Sequence, residues 1–181
     1  MKAIKFSLFF IMLALFVACN DDDDNDSLPD NDEEEITTVI VTVDSGNAPA
    51  TSFRYRIDEG NVVEQDQIQL MSGQMYDVNV RFLNEEEVPA EEVTEEIEEE
   101  DNEHLICFTT SSVFLNVTYD DADENGLPVG LETNWEAGAT GGTGEITVTL
   151  RHQPDLKETQ SDANCNIGET DIQATFPVTI Q

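Results

Sequence analysis

The sequence predicts an all-β chain, an immunoglobulin-like antiparallel β-sandwich of about eight or nine strands with one short acidic helix or loop. Three observations predict it. Apolar and polar residues alternate through most of the chain beyond residue 36, as in Tyr76, Val78, Val80 and Phe82 against Asp77, Asn79 and Arg81. Turn residues punctuate these runs every 8 to 15 residues or so, roughly the spacing of a sandwich. Helical periodicity is nearly absent, apart from Val93 and Ile97 standing four apart in an acidic run.

Ile36 to Val43 is rich in β-branched residues, which fit a pleated, half-buried surface. Asp44-Ser45-Gly46-Asn47 is turn chemistry. Phe53, Tyr55 and Ile57 alternate with Arg54 and Arg56, and a turn at Glu59-Gly60-Asn61 leads to a strand ending near Leu70. Ser72-Gly73 turns into the strand of Tyr76 to Phe82. Twelve of the twenty residues from Asn84 to Glu103 are acidic, and Pro89 suits the first turn of a helix, so a short acidic helix from Pro89 to Glu99 or a loop is expected there. Strands resume at Leu105 to Thr109, Val113 to Tyr119 and Leu131 to Trp135. Gly138 to Gly144 reads as a flexible turn before a strand around Ile146, Val148 and Leu150. A polar segment from Gln153 to Thr170 precedes the strict alternation of Ile172, Ala174, Phe176, Val178 and Ile180. Pro177 lacks an N–H, which marks that last strand as an edge or as locally unpaired.

Three regions are expected: a signal peptide at 1–18, an acidic tether at 19–35, and a single sandwich domain at 36–181. Lys2 and Lys5 precede an uncharged apolar run from Phe6 to Val17, the layout of a secretory signal. Phe16-Val17-Ala18-Cys19 resembles the lipobox of bacterial lipoproteins, with Phe16 where Leu, Val or Ile is more usual. The resemblance implies that Cys19 is lipidated and holds the protein to a membrane, since two or more acyl chains anchor stably. Ten of the sixteen residues from Asn20 to Glu35 are acidic and repel one another, as a disordered tether would.

The formal charge is −33, and loss of the two lysines of the signal peptide takes it to −35. Such a balance argues against nucleic acid and anionic membrane surfaces as partners and favours cations or basic proteins. Cys107 and Cys165 are the cysteines beyond Cys19, and outside the cytoplasm they either pair in a disulfide or stay as two thiols.

Asp121, Asp123, Asn125, Gly126 and Glu132 match the spacing D-x-D-x-N-G-x5-E of a calcium loop, whose hard oxygens converge on Ca2+. The competing reading is an acidic β-turn, since Asp, Asn and Gly also make ordinary turns and the flanks read as strands. His104 and His152, the two histidines, each fall at a strand end and form a transition-metal site only if the fold brings them together beside a carboxylate. No nucleophile motif is present, and a non-enzyme is expected.

The segments 33–43, 82–104, 119–131, 147–154 and 168–181 resemble a family of small Bacteroidota lipoproteins often labelled "type 1 periplasmic binding fold superfamily protein". The resemblance supports the lipoprotein reading and supplies no substrate or site; the acidic residues directly after Cys19 resemble the export signal that sends Bacteroidota lipoproteins to the outer face of the outer membrane, so a cell-surface position is expected. The label implies a two-lobed α/β architecture, whereas the periodicity here is that of strands. The function expected is a binding or accessory module of the cell envelope. The alternatives are a metal-dependent enzyme using His104 and His152, or a purely structural envelope component.

Overall fold

The computed structural model describes residues 35–181. The signal peptide, Cys19 and all of the acidic tether but Glu35 lie outside the described residues.

The β-branched run opens the centre of the larger sheet. β1 (Thr38–Asp44) pairs antiparallel with β2 (Thr51–Asp58) on one side and β5 (Met75–Asn84) on the other. Flanked and covered, its Val39 and Val41 are fully buried. β3 (Asn61–Gln65) lies outside β2, while β9 (Glu132–Ala137) and then β8 (Leu115–Tyr119) lie outside β5. A two-residue β6 (Glu91–Glu92) caps the end of β5 and completes seven strands. The smaller sheet has the order β4 (Ile68–Leu70), β11 (Glu169–Ile180), β10 (Gly142–His152) and β7 (His104–Ser111).

The two sheets share one apolar core. Phe82 and Trp135 of the larger sheet and Phe176, Leu150 and Ile106 of the smaller are fully buried in it. Rings meet across the interface: Tyr55 lies 6.0 Å from Phe176, and Phe108 stands edge-on to Trp135 at 6.1 Å. The all-β sandwich read from the alternation is the fold observed.

Among the described residues the strand count is eleven, higher than expected, for two reasons. The stretch from Asn61 to Leu70 is two strands, because the chain leaves the larger sheet after β3 and joins the smaller one as β4, parallel to β11. Asp66 makes the corner: its N–H donates to the Arg54 carbonyl at 2.8 Å and its carboxylate accepts from the Arg54 N–H at 2.8 Å. The other addition is β6, which shortens the acidic helix. α1 runs from Thr94 to Glu99 instead of starting at Pro89. Glu91 and Glu92 pair with Asn84 and Leu83, and the Thr94 hydroxyl accepts from the Phe82 N–H at 2.9 Å, so the segment starts as sheet. Val93 and Ile97 are both buried, as their shared face requires.

The glycine-rich turn is also shorter than expected. Gly142, Thr143 and Gly144 are the start of β10, opposite Ile180, Thr179 and Val178. A Cβ on Gly144 would lie 2.1 Å from the Ser111 carbonyl oxygen, so glycine here admits a close backbone approach. Pro177 lies opposite Glu145 of β10 and one residue short of the β4 pairing, which begins at Val178.

The segment between β10 and β11 is tied down. It contains a single 3-10 turn, Lys157–Thr159, and a disulfide joins its Cys165 to Cys107 on β7. The two cysteines are 58 residues apart, a loop whose closure in the unfolded chain is worth about 4 kcal/mol on entropy alone. Reduction, or the double substitution Cys107→Ser with Cys165→Ser, is expected to lower the unfolding free energy by about that amount. Urea unfolding followed by the fluorescence of the one tryptophan, Trp135, reads it; an unchanged midpoint would contradict the role given to the bond.

Candidate functional site

Polar groups seldom enter a core unless they are paired. At one end of the smaller sheet several do. His104, His152, Gln153, Lys157 and Asp123 are each 6% exposed or less.

Sheet register creates the cluster. His104 opens β7, His152 closes β10, and the two are direct cross-strand partners. Their rings stack with centroids 4.8 Å apart and planes 8° from parallel. The Glu100 carbonyl at the end of α1 lies 3.1 Å from His104 Nδ1. A carbonyl only accepts, so this contact places the His104 proton on Nδ1. The Glu103 carboxylate stands 3.7 Å from His152 Nε2, and its carbonyl accepts from the Gln153 N–H at 2.6 Å. Glu100, His104 and His152 each offer one ligand atom within 4.8 Å of the others. The fold therefore brings together the two histidines singled out in the sequence and sets carboxylates beside them. It also buries them: His104 is 0% exposed and His152 3%.

The segment after β10 returns to the end of that strand. Gln153 Nε2 donates to the carbonyls of Asn164 and Ile167 at 2.9 and 3.1 Å, which folds the segment back on itself. Gly168 adopts a left-handed φ of 78°, and a Cβ there would lie 2.2 Å from the His152 carbonyl oxygen, so glycine lets the returning chain pass close to the histidine. Lys157 Nζ reaches the Asp101 carbonyl at 2.5 Å and Asp123 Oδ2 at 3.0 Å.

The calcium-spaced residues have separate places. Asp123 Oδ1 accepts from the N–H groups of Asn125 and Leu127, both at 2.9 Å, while Oδ2 faces the Lys157 ammonium. Asp121 accepts from the Gly130 N–H at 2.7 Å and the Glu132 N–H at 3.0 Å. Asp121 and Glu132 line a surface dent of about 200 Å³ with Glu98 and Asp101; Asp123 and Asn125 are not among its walls. The structure thus braces this turn with its own backbone and a lysine.

The electrostatics follow from burial. Burial alone pushes the Asp123 carboxyl up, but the hydrogen bonds from Leu127, Lys157 and Asn125 outweigh it and hold the group below the ordinary value. Tyr119 is pushed up to about 12, chiefly by burial and further by the charges of Asp121 and Asp162. Its hydroxyl donates to the Ile106 carbonyl at 2.9 Å, joining β8 to β7.

Lys157, Gln153, Glu100 and Glu103 were not singled out by sequence. One signal was available for the first: Lys157 is the only lysine beyond Lys5. In so acidic a chain its ammonium has many suitors, and which carboxylate it meets is a tertiary matter.

Because the folded pKa of Asp123 is depressed, its stabilisation is complete above the unfolded value and is lost as pH falls through the folded one. The ordinary aspartate value is 3.8, so the loss sets in as pH falls below it. Asp123→Asn is expected to flatten the acid limb of the stability curve, measured as urea midpoint between about pH 5 and pH 2; an unchanged slope would contradict the assignment. In comparison with known proteins, no family model, no curated protein and no solved structure matches the chain.

Proposed function

We propose that this protein is an exported lipoprotein, anchored through Cys19 to the outer membrane and acting at the cell surface as a binding or accessory module. The observation that carries the reading is the use of its three cysteines. Two are joined as Cys107–Cys165, and such bonds persist in oxidising compartments. The third stands at the end of the apolar run, in Phe16-Val17-Ala18-Cys19. The resemblance to small Bacteroidota lipoproteins agrees with this reading.

The binding end we favour is the one where the segments 120–131 and 153–168 meet. Loops at the end of a sandwich commonly carry recognition. Here Lys157 and Asp123 tie the two together, so the surface they present is held in shape. Its acidity, with Glu98, Asp101, Asp121 and Glu132 around one dent, suits a basic protein or a cation, Ca2+ included. A metal-dependent enzyme is the second reading. The stacking of His104 on His152 favours it, and their burial weighs against a substrate reaching them.

Metabolic labelling of cells with a clickable fatty-acid analogue tests the anchor. The full-length chain is expected to take up label and sediment with membranes, and Cys19→Ala to lose both. Label that persists in Cys19→Ala would overturn the proposal.

A further inference from the structure

We propose that Glu100, His104 and His152 form a binding site for one transition-metal dication of the Zn2+ class. This inference is independent of the membrane anchor.

The donor set is the first argument. Two imidazoles and a carboxylate suit Zn2+, Cu2+ or Ni2+, whereas Ca2+ and Mg2+ require oxygen. The sequence holds forty acidic residues and these two histidines, so nitrogen donors give this one place a preference that carboxylates alone lack.

Geometry is the second. The three ligand atoms already lie within 4.8 Å of one another. Tetrahedral Zn2+ with bonds of about 2.0–2.1 Å sets its ligand atoms roughly 3.4 Å apart. The site must therefore close by at most about 1.4 Å, and one of the parallel rings must turn about its Cβ–Cγ bond to aim both lone pairs at one ion. Glu103, 3.7 Å from His152 Nε2, is placed to supply the fourth donor.

Support around the ligands is the third. Metal-binding histidines usually donate their second ring N–H to a carbonyl or carboxylate, which fixes ring and tautomer. His104 does this through Nδ1 to the Glu100 carbonyl. The strands supply rigidity, since His104 and His152 are register partners in the β7–β10 ladder.

The histidines are buried, while Glu100 is exposed at the end of α1. An ion enters past Glu100 and is then enclosed. It ties the end of α1, the start of β7 and the end of β10 together, a closed position that suits storage or stapling.

The test uses the protein with its disulfide intact, stripped with EDTA and titrated with Zn2+ by calorimetry. Co2+, followed by its visible spectrum, reports the geometry. Both titrations run in millimolar Ca2+ and Mg2+ to occupy surface carboxylates. One equivalent of Zn2+ is expected to bind with a Kd on the order of 1 μM or tighter, with a tetrahedral Co2+ spectrum. Glu100→Gln, at an exposed position that leaves the core alone, is expected to weaken binding by about tenfold or more. His152→Gln is expected to weaken it further, and Asp121→Asn to leave it unchanged. Zn2+ that Ca2+ displaces, or binding that Glu100→Gln leaves intact, overturns the site.

Discussion

The ion pair between Lys157 and Asp123 is the contact on which the meeting of the segments 120–131 and 153–168 depends. Both side chains are buried, 3.0 Å apart, and they join two long segments that the sheets themselves do not connect. Taking two charges out of water costs several kcal/mol each, and the cost is offset only when geometry and further hydrogen bonds are good. Here they are: Asp123 has two backbone N–H donors besides the ammonium, and Lys157 has a backbone carbonyl besides the carboxylate. Either partner alone would be a buried charge without its counter-charge.

Scarcity of positive charge gives that pair its weight. The chain has seven lysines and arginines against forty acids. The arginines of the larger sheet serve the same purpose closer to solvent. Arg54 bridges Glu64 and Glu85, Arg56 also meets Glu85, and Arg81 meets Glu92. The hydrogen bond from Arg54, with help from Thr38, holds Glu85 below the ordinary carboxyl range. Such half-exposed pairs are individually weak. The disulfide adds a covalent tie to the segment after β10, joining its Cys165 to Cys107 on β7.

Much of the sandwich was legible because strand burial repeats the period of the sequence. Ile172, Ala174, Phe176, Val178 and Ile180 are all buried, one for each second residue of β11. What the sequence hid was non-local. Val62 and Val63 look like core residues but sit exposed, 51% and 52%, on the edge strand before the chain changes sheets. The glycines of 142–144 look like a loop, and only the nearby Ser111 carbonyl explains them as strand. At the site, the two histidines were visible as strand ends, but their stacking follows from register, which no local pattern states. The calcium spacing was equally visible, yet Asp, Asn and Gly at those intervals also serve turns braced by their own backbone, which is how Asp121 and Asp123 spend their oxygens.

A double-mutant cycle on Lys157 and Asp123 tests the central claim most directly. Lys157→Met, Asp123→Asn and the pair of changes together are compared by urea unfolding at neutral pH. If the pair is what closes this end of the domain, Lys157→Met alone costs about 3–5 kcal/mol, because it strands a buried carboxylate, and costs far less once Asp123 is already Asn. An equal cost in both backgrounds, with a coupling below about 0.5 kcal/mol, would contradict the account.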